Sequence, residues 1–354
     1  MRRLAALSLL FLSCATSRPP ACYEQLVDAA VAAPIAENRF AGVVLVAREG
    51  RTLFTKAYGL ADREQGIAHT PQTPFMIMSV SKQFTAALIA RLAVKGKLRF
   101  DDRVSQYLEH WPAEWNDVQI KHLLGHSAGI EIDATYFWLI KHHPEYWPES
   151  TPPPAYEPRA LTAVPGTKYL YANVGYTLLS MIAVKAGGRP FDDLIRDEVL
   201  RPMGLTHTLP ERNGVRVAGR ARGYTRKDEG LVLEEQKTID IVGAGDVVST
   251  AEDLARFDAA FDDDRFLPAD VRKEMLTPRV EGRRGASLGY GWFLRTSDGG
   301  HALQFHNGAG AGFRAFNYKL PNERLAVIVL TNIDEAEQPW IAPLVDRIAT
   351  LSCD

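Results

Sequence analysis

The chain has 354 residues, of which 46% are hydrophobic and 24% are charged. This composition excludes wholesale disorder, and the length suffices for one large domain or two packed domains. The formal net charge is only −2, so we expect no nucleic-acid partner.

Residues 1–21 have the pattern of a secretory signal peptide and tether. Arg2 and Arg3 precede an apolar run from Leu4 to Leu12, and Cys14 follows closely. The run is too short to span a bilayer. A cysteine after the cleavage position is typical of bacterial lipoproteins, so the segment is expected to be removed or lipidated at Cys14. The pattern predicts a periplasmic protein or a membrane-anchored lipoprotein of a bacterium, with membrane contact only through the lipid.

Cys22 and Cys353 lie near opposite ends of the mature chain. An exported protein can keep a disulfide, and a bond between these two residues would join the first helix to the last. Two unpaired thiols near frayed termini explain the pattern equally well, and both interpretations stay open.

At each end of the chain, the sequence predicts a terminal helix next to a group of strands. The sequence predicts helices at 23–36 and 337–351, and strands at 41–47, 52–58, 288–296, 302–307, 312–320 and 324–332. Glu49-Gly50 is a predicted hairpin turn. Because the connections are short, we expect an antiparallel sheet.

The centre of the chain is predicted to be mostly helical. The predicted helices are 79–95, 118–124, 173–187, 191–200, 251–262 and 268–276. Ser249 and Glu252 have the spacing of a capping box. The stretch 131–164 is rich in proline and aromatic residues and predicts a long loop, which either walls a substrate cleft or packs on the surface.

The predicted fold is an α/β protein of the α+β type. Its antiparallel sheet is flanked by N- and C-terminal helices and belongs to a discontinuous domain formed by residues 22–75 and 285–354. A mostly helical domain at residues 76–284 is inserted into it.

Ser79 and Lys82 form the only Ser-x-x-Lys in the sequence. Positions i and i+3 share one helix face, so the hydroxyl and the amine come within hydrogen-bonding reach. An uncharged lysine can activate a serine, and a helix start favours a developing oxyanion. A serine that caps a helix and is followed by a solvated lysine has the same sequence, so the pattern by itself is weak evidence for a catalytic site.

Two other segments contain candidate site residues. Tyr171 and Asn173 precede an apolar helix; an ionised phenol there would shuttle a proton, and the amide would accept from Lys82. The segment His306-Asn307-Gly308-Ala309 ends a predicted strand, where glycine allows close approach of substrate and a backbone N–H can join an oxyanion hole. A buried tyrosine, a helix-capping asparagine and a glycine-rich hairpin are the structural alternatives.

Five motifs occur in a fixed order along the chain. They are Phe75-x-x-x-Ser79-x-x-Lys82, His122-Leu-Leu-Gly-His126-Ser-Ala-Gly129-Ile, Tyr171-Ala-Asn173-x-Gly175-Tyr176, Gly243-Ala-Gly-Asp-Val-Val-Ser249-Thr and His306-Asn-Gly308. Together they resemble the serine β-lactamase and penicillin-binding-protein superfamily, specifically its class C β-lactamase-like branch. The resemblance covers roughly residues 23–350 and implies the fold described above.

The resemblance implies a role for each matching residue. Ser79 would be the acylated nucleophile, Lys82 and Tyr171 would share the acid and base work, and Asn173 would line the site. The substrate side would be formed by His306, Asn307, Gly308 and Ala309, with the N–H groups of Ser79 and Ala309 as the oxyanion hole.

The resemblance implies a serine hydrolase that forms an acyl-enzyme with an amide or ester carbonyl and needs no cofactor, and the pattern of residues 1–21 predicts that it is exported. The substrate would be a D-amino-acid peptide, a small ester or a β-lactam. The alternative is a catalytically weak penicillin-binding or cell-wall-sensing module of the same fold. No metal site is expected, because His122 and His126 lack a carboxylate partner at the expected spacing.

Asn307 departs from the family pattern. The family has threonine or serine at this position, and its hydroxyl binds a substrate carboxylate. We therefore expect poor turnover of β-lactams. Arg314 either anchors a carboxylate instead or is a solvated strand residue.

Overall fold

The computed structural model describes residues 21–143, 160–211, 217–228, 230–234, 241–335 and 338–351. Cys14 and Cys353 lie outside these residues. The helices are α1 Ala21–Ala36, α2 Ser81–Val94, α3 Ile120–Leu124, α4 Ile132–His142, α5 Asn173–Gly187, α6 Phe191–Ile195, α7 Ala251–Phe261, α8 Ala269–Met275 and α9 Ile341–Thr350. In this described part, no helix is both long and apolar enough to cross a membrane.

In the part of the chain that the structure describes, the strands form one large sheet and three small ones. They are β1 Gly42–Arg48, β2 Arg51–Tyr58, β3 Leu60–Asp62, β4 Ile67–Ala68, β5 Phe75–Met76, β6 Leu209–Pro210, β7 Tyr224–Lys227, β8 Gly230–Leu233, β9 Val247–Ser249, β10 Val280–Glu281, β11 Ser287–Leu288, β12 Phe293–Thr296, β13 Ala302–Gly310, β14 Phe313–Leu320, β15 Leu325–Thr331 and β16 Ile333–Asp334.

The large sheet has eight strands in the order β10-β11-β12-β13-β14-β15-β1-β2. All of its neighbouring strands are antiparallel, as predicted. Strands from the two ends of the chain meet where β1 pairs with β15.

Helices cover both faces of this sheet. Side chains alternate along a strand, so Val43 and Leu45 join the core that includes residues of α2 and α7. Val44 and Val46 join a second core with residues of α1 and α9. We call the first face inner and the second outer. Apolar burial on both faces explains why β1 and β15 are hydrophobic nearly throughout.

The structure confirms most of the predicted elements, and the predicted helix 173–187 coincides with α5. The predicted strand 288–296 is instead two strands, β11 and β12, joined by a tight turn. The turn packs on α2: Gly291 has φ +80, and a Cβ there would lie 2.7 Å from the Ala86 Cβ. The predicted helix 191–200 continues beyond α6 as a π-helical turn, Arg196–Leu200.

The prediction of a loop over 131–164 was wrong at its start, where α4 lies. Trp138 of that helix is buried, and its indole N–H donates to the His110 carbonyl at 2.9 Å. His142 is the last residue of this helix, and its ring stacks on that of His110. Residues 144–159 of the predicted loop lie outside the described residues.

Two local predictions in the central part also need correction. The cap of α7 is Thr250, whose side chain accepts the Asp253 N–H at 3.2 Å, whereas the Ser249 hydroxyl bonds with Thr208. The predicted helical region 76–284 additionally holds the end of β5 and strands β6 to β10. These strands have two to four residues each and are too short to show the alternation typical of a strand.

Cys22 forms a disulfide. Because Cys14 and Cys353 are both outside the described residues, pairing with Cys353 stays a prediction. The helices nearest the two ends, α1 and α9, pack against each other.

Candidate active site

Ser79 lies in a 3-10 turn, Met78–Val80, directly before α2. Met78 has φ +51, a left-handed conformation that is strained for a bulky side chain and is found preferentially at functional sites. Strand β13 crosses this turn at Gly308, where a Cβ would lie 2.1 Å from the Ile77 carbonyl oxygen. The glycine of the His306-Asn-Gly308 motif therefore lets the sheet contact the turn that carries Ser79.

The Lys82 side chain is fully buried and has three polar neighbours. Its Nζ lies 2.8 Å from Asn173 Oδ1, 2.6 Å from the Ala244 carbonyl oxygen and 3.2 Å from Ser79 Oγ. Burial lowers the pKa of Lys82 to about 7, although the Asp246 carboxylate opposes the shift. A large fraction of the amine is therefore uncharged at neutral pH.

An uncharged amine has two N–H donors and one lone pair. The Asn173 and Ala244 oxygens can only accept, so they take the two donors at the shorter distances. The lone pair remains for the Ser79 hydroxyl, which can donate. This arrangement suits lysine as a general base toward Ser79.

The Ala244 carbonyl belongs to a tight loop that sequence reasoning left without a role. Asp246 Oδ1 accepts the Gly243 N–H at 3.0 Å, and the Thr85 hydroxyl of α2 donates to the Gly243 carbonyl at 2.7 Å. The loop thus holds the Ala244 carbonyl oxygen against Lys82, which belongs to the same helix as Thr85. The Gly-Ala-Gly-Asp sequence identifies the loop, but it does not show that the Ala244 carbonyl oxygen is the atom that contacts Lys82.

Tyr171 lies beside both residues. Its hydroxyl hydrogen-bonds with the Ser79 side chain, and its ring centroid is 5.0 Å from Lys82 Nζ. Burial raises the pKa of Tyr171 despite the Ser79 bond, so the phenol keeps its proton. The expectation of an ionised phenol is thereby corrected.

His306 lies near Lys82, and its imidazole ring is uncharged. Burial, helped by the charge of Lys82, lowers the pKa of His306 to about 3. Because the ring is neutral, the short 2.8 Å contact between Nδ1 and the Asn307 carbonyl identifies Nδ1–H as a donor. His306 therefore supplies no positive charge to a bound substrate.

Asn307 faces away from the other site residues. It follows His306 along β13, so its side chain lies on the opposite, outer face of the sheet. There its Nδ2 approaches the Tyr318 hydroxyl at 3.4 Å. Arg314 is also occupied, since it pairs with Asp334 at 2.6 Å, and this corrects the expectation of a solvated residue.

Ala309 lies on an exposed part of β13. The pairing of β12 with β13 ends at Phe293 and Phe305, so β12 does not reach the backbone of Ala309. This geometry is compatible with an oxyanion-hole N–H.

The two histidines of the second motif have structural partners. His122 Nδ1 accepts the Gln119 N–H at 3.0 Å, and His126 Nδ1 accepts the Ala172 N–H at 3.2 Å. Over the described ranges, no group of three His, Cys, Asp or Glu side chains is placed to hold a metal ion.

Comparison with known proteins gives matches over most of the chain. The family model described as Beta-lactamase matches residues 25–346. Penicillin-binding protein 4* of Bacillus subtilis (strain 168) is 28% identical over 318 residues, which is 84% of this chain and 69% of that protein.

Solved structures share the fold. The penicillin-binding protein homologue from Pyrococcus abyssi has a TM-score of 0.75 at 23% identity, covering 92% of this chain and 75% of that one. The D-amino acid amidase from Ochrobactrum anthropi SV3 has a TM-score of 0.73 at 20% identity, covering 92% and 98%.

The family match includes the Ser79 turn, the Lys82 helix, the Tyr171 segment and strand β13. The chain therefore belongs to the Beta-lactamase family.

Proposed function

We propose that this protein is an exported serine hydrolase that cleaves an amide or ester bond through an acyl-enzyme on Ser79. One observation carries the proposal: the buried Lys82 Nζ lies 2.8 Å from Asn173 Oδ1, 2.6 Å from the Ala244 carbonyl oxygen and 3.2 Å from Ser79 Oγ. In its uncharged form the amine donates to the two closer oxygens and turns its lone pair to the nucleophile. A solvated lysine at this spacing would stay protonated and could not take the serine proton.

Acylation begins when Ser79 Oγ attacks the substrate carbonyl carbon and passes its proton to Lys82 Nζ. The backbone N–H groups of Ser79 and Ala309 stabilise the negative oxygen of the tetrahedral intermediate. Tyr171 then protonates the leaving amine or alkoxide as its bond to carbon breaks, and the Lys82 ammonium returns a proton to Tyr171.

Deacylation repeats this chemistry with water. Lys82 takes a proton from the attacking water, and the second tetrahedral intermediate expels Ser79 Oγ. The serine oxygen regains a proton through Tyr171, and the carboxylic acid product leaves. No step requires a cofactor.

The substrate we propose is a small ester or a D-amino-acid amide or peptide without a free carboxylate near the scissile bond. His306 is uncharged, Asn307 lies on the outer face and Arg314 is paired with Asp334. A substrate carboxylate would therefore lack the cation and the hydroxyl that the family motif supplies. The name of the D-amino acid amidase with the same fold agrees with an amide substrate.

The name of Penicillin-binding protein 4* of Bacillus subtilis supports one alternative, a penicillin-binding module that is acylated but turns over slowly. The two functions share Ser79 and differ in the lifetime of the acyl-enzyme.

Replacement of Ser79 tests both. A fluorophosphonate probe is expected to label the wild type and to leave Ser79→Ala unlabelled, since Ser79 Oγ is the hydroxyl that lies 3.2 Å from Lys82 Nζ. Ser180→Ala is the matched control: Ser180 is buried and donates to the Thr177 carbonyl, so labelling should persist. Labelling of Ser79→Ala would contradict the proposal, and a label-competent enzyme without ester or amide turnover would favour the penicillin-binding alternative.

The pH dependence of kcat/KM for an uncharged ester tests the base. Only the neutral amine of Lys82 can accept the proton, so the rate should rise through the Lys82 pKa of about 7 and level off above it. Below that pKa, each pH unit should lower the rate about tenfold.

Asp246→Asn provides the control for this profile. The Asp246 carboxylate raises the pKa of Lys82, so its neutral replacement should move the rising limb to lower pH, while the amide oxygen can still accept from Gly243. A flat profile, or a limb that moves upward in the variant, would rule out Lys82 as the base.

A matched substrate pair tests the absence of a carboxylate anchor. N-acetyl-D-alanyl-D-alanine and its C-terminal amide differ only in the terminal charge. The amide is expected to have a kcat/KM about tenfold higher, because a buried carboxylate without a charged partner is disfavoured. Steady-state hydrolysis of both peptides gives the comparison, and faster cleavage of the free acid would show that an anchor exists.

Export is part of the proposal and rests on the pattern of residues 1–21. In a bacterial host, radioactive palmitate should be incorporated into the wild type, and Cys14→Ser should lose the label. Labelled Cys14→Ser would exclude lipidation at this residue, and recovery of the protein only from the cytosol would exclude export.

A further inference from the structure

His126 contacts three consecutive residues around Tyr171. Its carbonyl oxygen accepts the Leu170 N–H at 2.8 Å, and its Nδ1 accepts the Ala172 N–H at 3.2 Å. Its ring stacks on that of Tyr171, with centroids 4.3 Å apart and planes inclined by 29°. One residue thus holds the tyrosine through both chain neighbours and across its aromatic face.

The contact with Ala172 requires an uncharged imidazole. Because Nδ1 accepts a hydrogen bond, the ring proton is on Nε2. Burial and the charge of Lys82 hold the pKa of His126 well below its ordinary value. The ring therefore keeps the Nδ1 lone pair across the physiological pH range.

The turn that carries His126 is itself fixed to the segment before Tyr171. The Ser127 carbonyl accepts the Gly166 N–H at 2.8 Å, and the Gly129 carbonyl accepts the Thr162 N–H at 2.7 Å. At Gly129 the two backbones are so close that a Cβ would lie 2.2 Å from the Ala163 carbonyl oxygen.

His126 also has an unusual backbone. Its φ is +50, a left-handed conformation that persists in a non-glycine residue only when surrounding contacts hold it. Hydrogen bonds from its carbonyl and its ring to the Tyr171 segment supply such contacts. The His126-Ser-Ala-Gly129 motif is thereby explained as a support for the Tyr171 segment.

We propose that His126 is a positioning residue for proton transfer: it fixes the Tyr171 hydroxyl at Ser79 and acts on the reaction only through that tyrosine. The inference rests on the proposed role of Tyr171 as proton donor to the leaving group. It assigns to the second motif a function in the departure of the leaving group.

Two substitutions separate the contacts of His126. His126→Phe keeps an aromatic ring for Tyr171 but removes the acceptor for Ala172. His126→Asn removes the ring, keeps an amide oxygen close to the Nδ1 position and tolerates a positive φ. Thermal unfolding of both variants establishes that they are folded before kinetics are compared.

The measurement is kcat/KM for esters of one acyl group with leaving groups of different acidity. A nitrophenolate departs without a proton, whereas an alkoxide needs one, so a misplaced donor harms only the second reaction. In both variants, we expect losses of about 10- to 100-fold with an alkyl ester and less than about threefold with the p-nitrophenyl ester.

His69→Phe is the matched control for loss of a buried histidine. His69 is 7% exposed, its ring stacks on Phe75 with centroids 5.0 Å apart, and its Nε2 lies 3.1 Å from Asn332 Oδ1. This substitution should lower the melting temperature without making the rate more sensitive to the leaving group. Equal losses over all esters in the His126 variants would indicate a merely structural role and overturn the proposal.

Tyr171→Phe and the double variant complete the test. If His126 acts through Tyr171, adding His126→Phe to Tyr171→Phe should change the alkyl-ester rate by less than about threefold. Full additivity of the two losses would overturn the inference alone. If Tyr171→Phe shows no dependence on the leaving group, the proton-donor role of Tyr171 fails, and the role of His126 fails with it.

Discussion

The burial of one amine determines how this site is built. Lys82 is enclosed completely and is met by an amide oxygen from α5, a carbonyl from the Gly243 loop and the hydroxyl of its own helical turn. Removal of water lowers its basicity, and two fixed acceptors determine where its lone pair points. Segments far apart in sequence must converge for this to happen, so the fold is a precondition for the chemistry.

Charge is distributed unevenly among the groups around Ser79. Burial keeps Tyr171 protonated and His306 neutral, while it brings the pKa of Lys82 to about 7. The proton acceptor Lys82 and the proton donor Tyr171 are thereby two different residues, and both hydrogen-bond with Ser79.

The long helices and strands were predicted well from the sequence, because each spans enough residues for its hydrophobic pattern to repeat. Helix α5 and the central strands were predicted almost at their observed limits, whereas α4 was missed because prolines and aromatic residues suggested a loop. The letters also singled out Ser79, Lys82, Tyr171 and Asn173, which the structure brings together. Strand alternation already separates Asn307 from His306, but the sequence analysis assigned both to the substrate side. That Ala244 offers its carbonyl could not be predicted, because it depends on the backbone geometry of the Gly243 loop.

The close contact at Gly308 has a mechanical consequence. Strand and nucleophile turn touch backbone to backbone, so any displacement of one is transmitted directly to the other, with no flexible side chain to absorb it. The spacing between the N–H groups of Ser79 and Ala309 is then as rigid as the sheet. Changes in substrate range have to come from residues at the rim of the cleft, because the backbone contact between Gly308 and Ile77 leaves no room for movement at its floor.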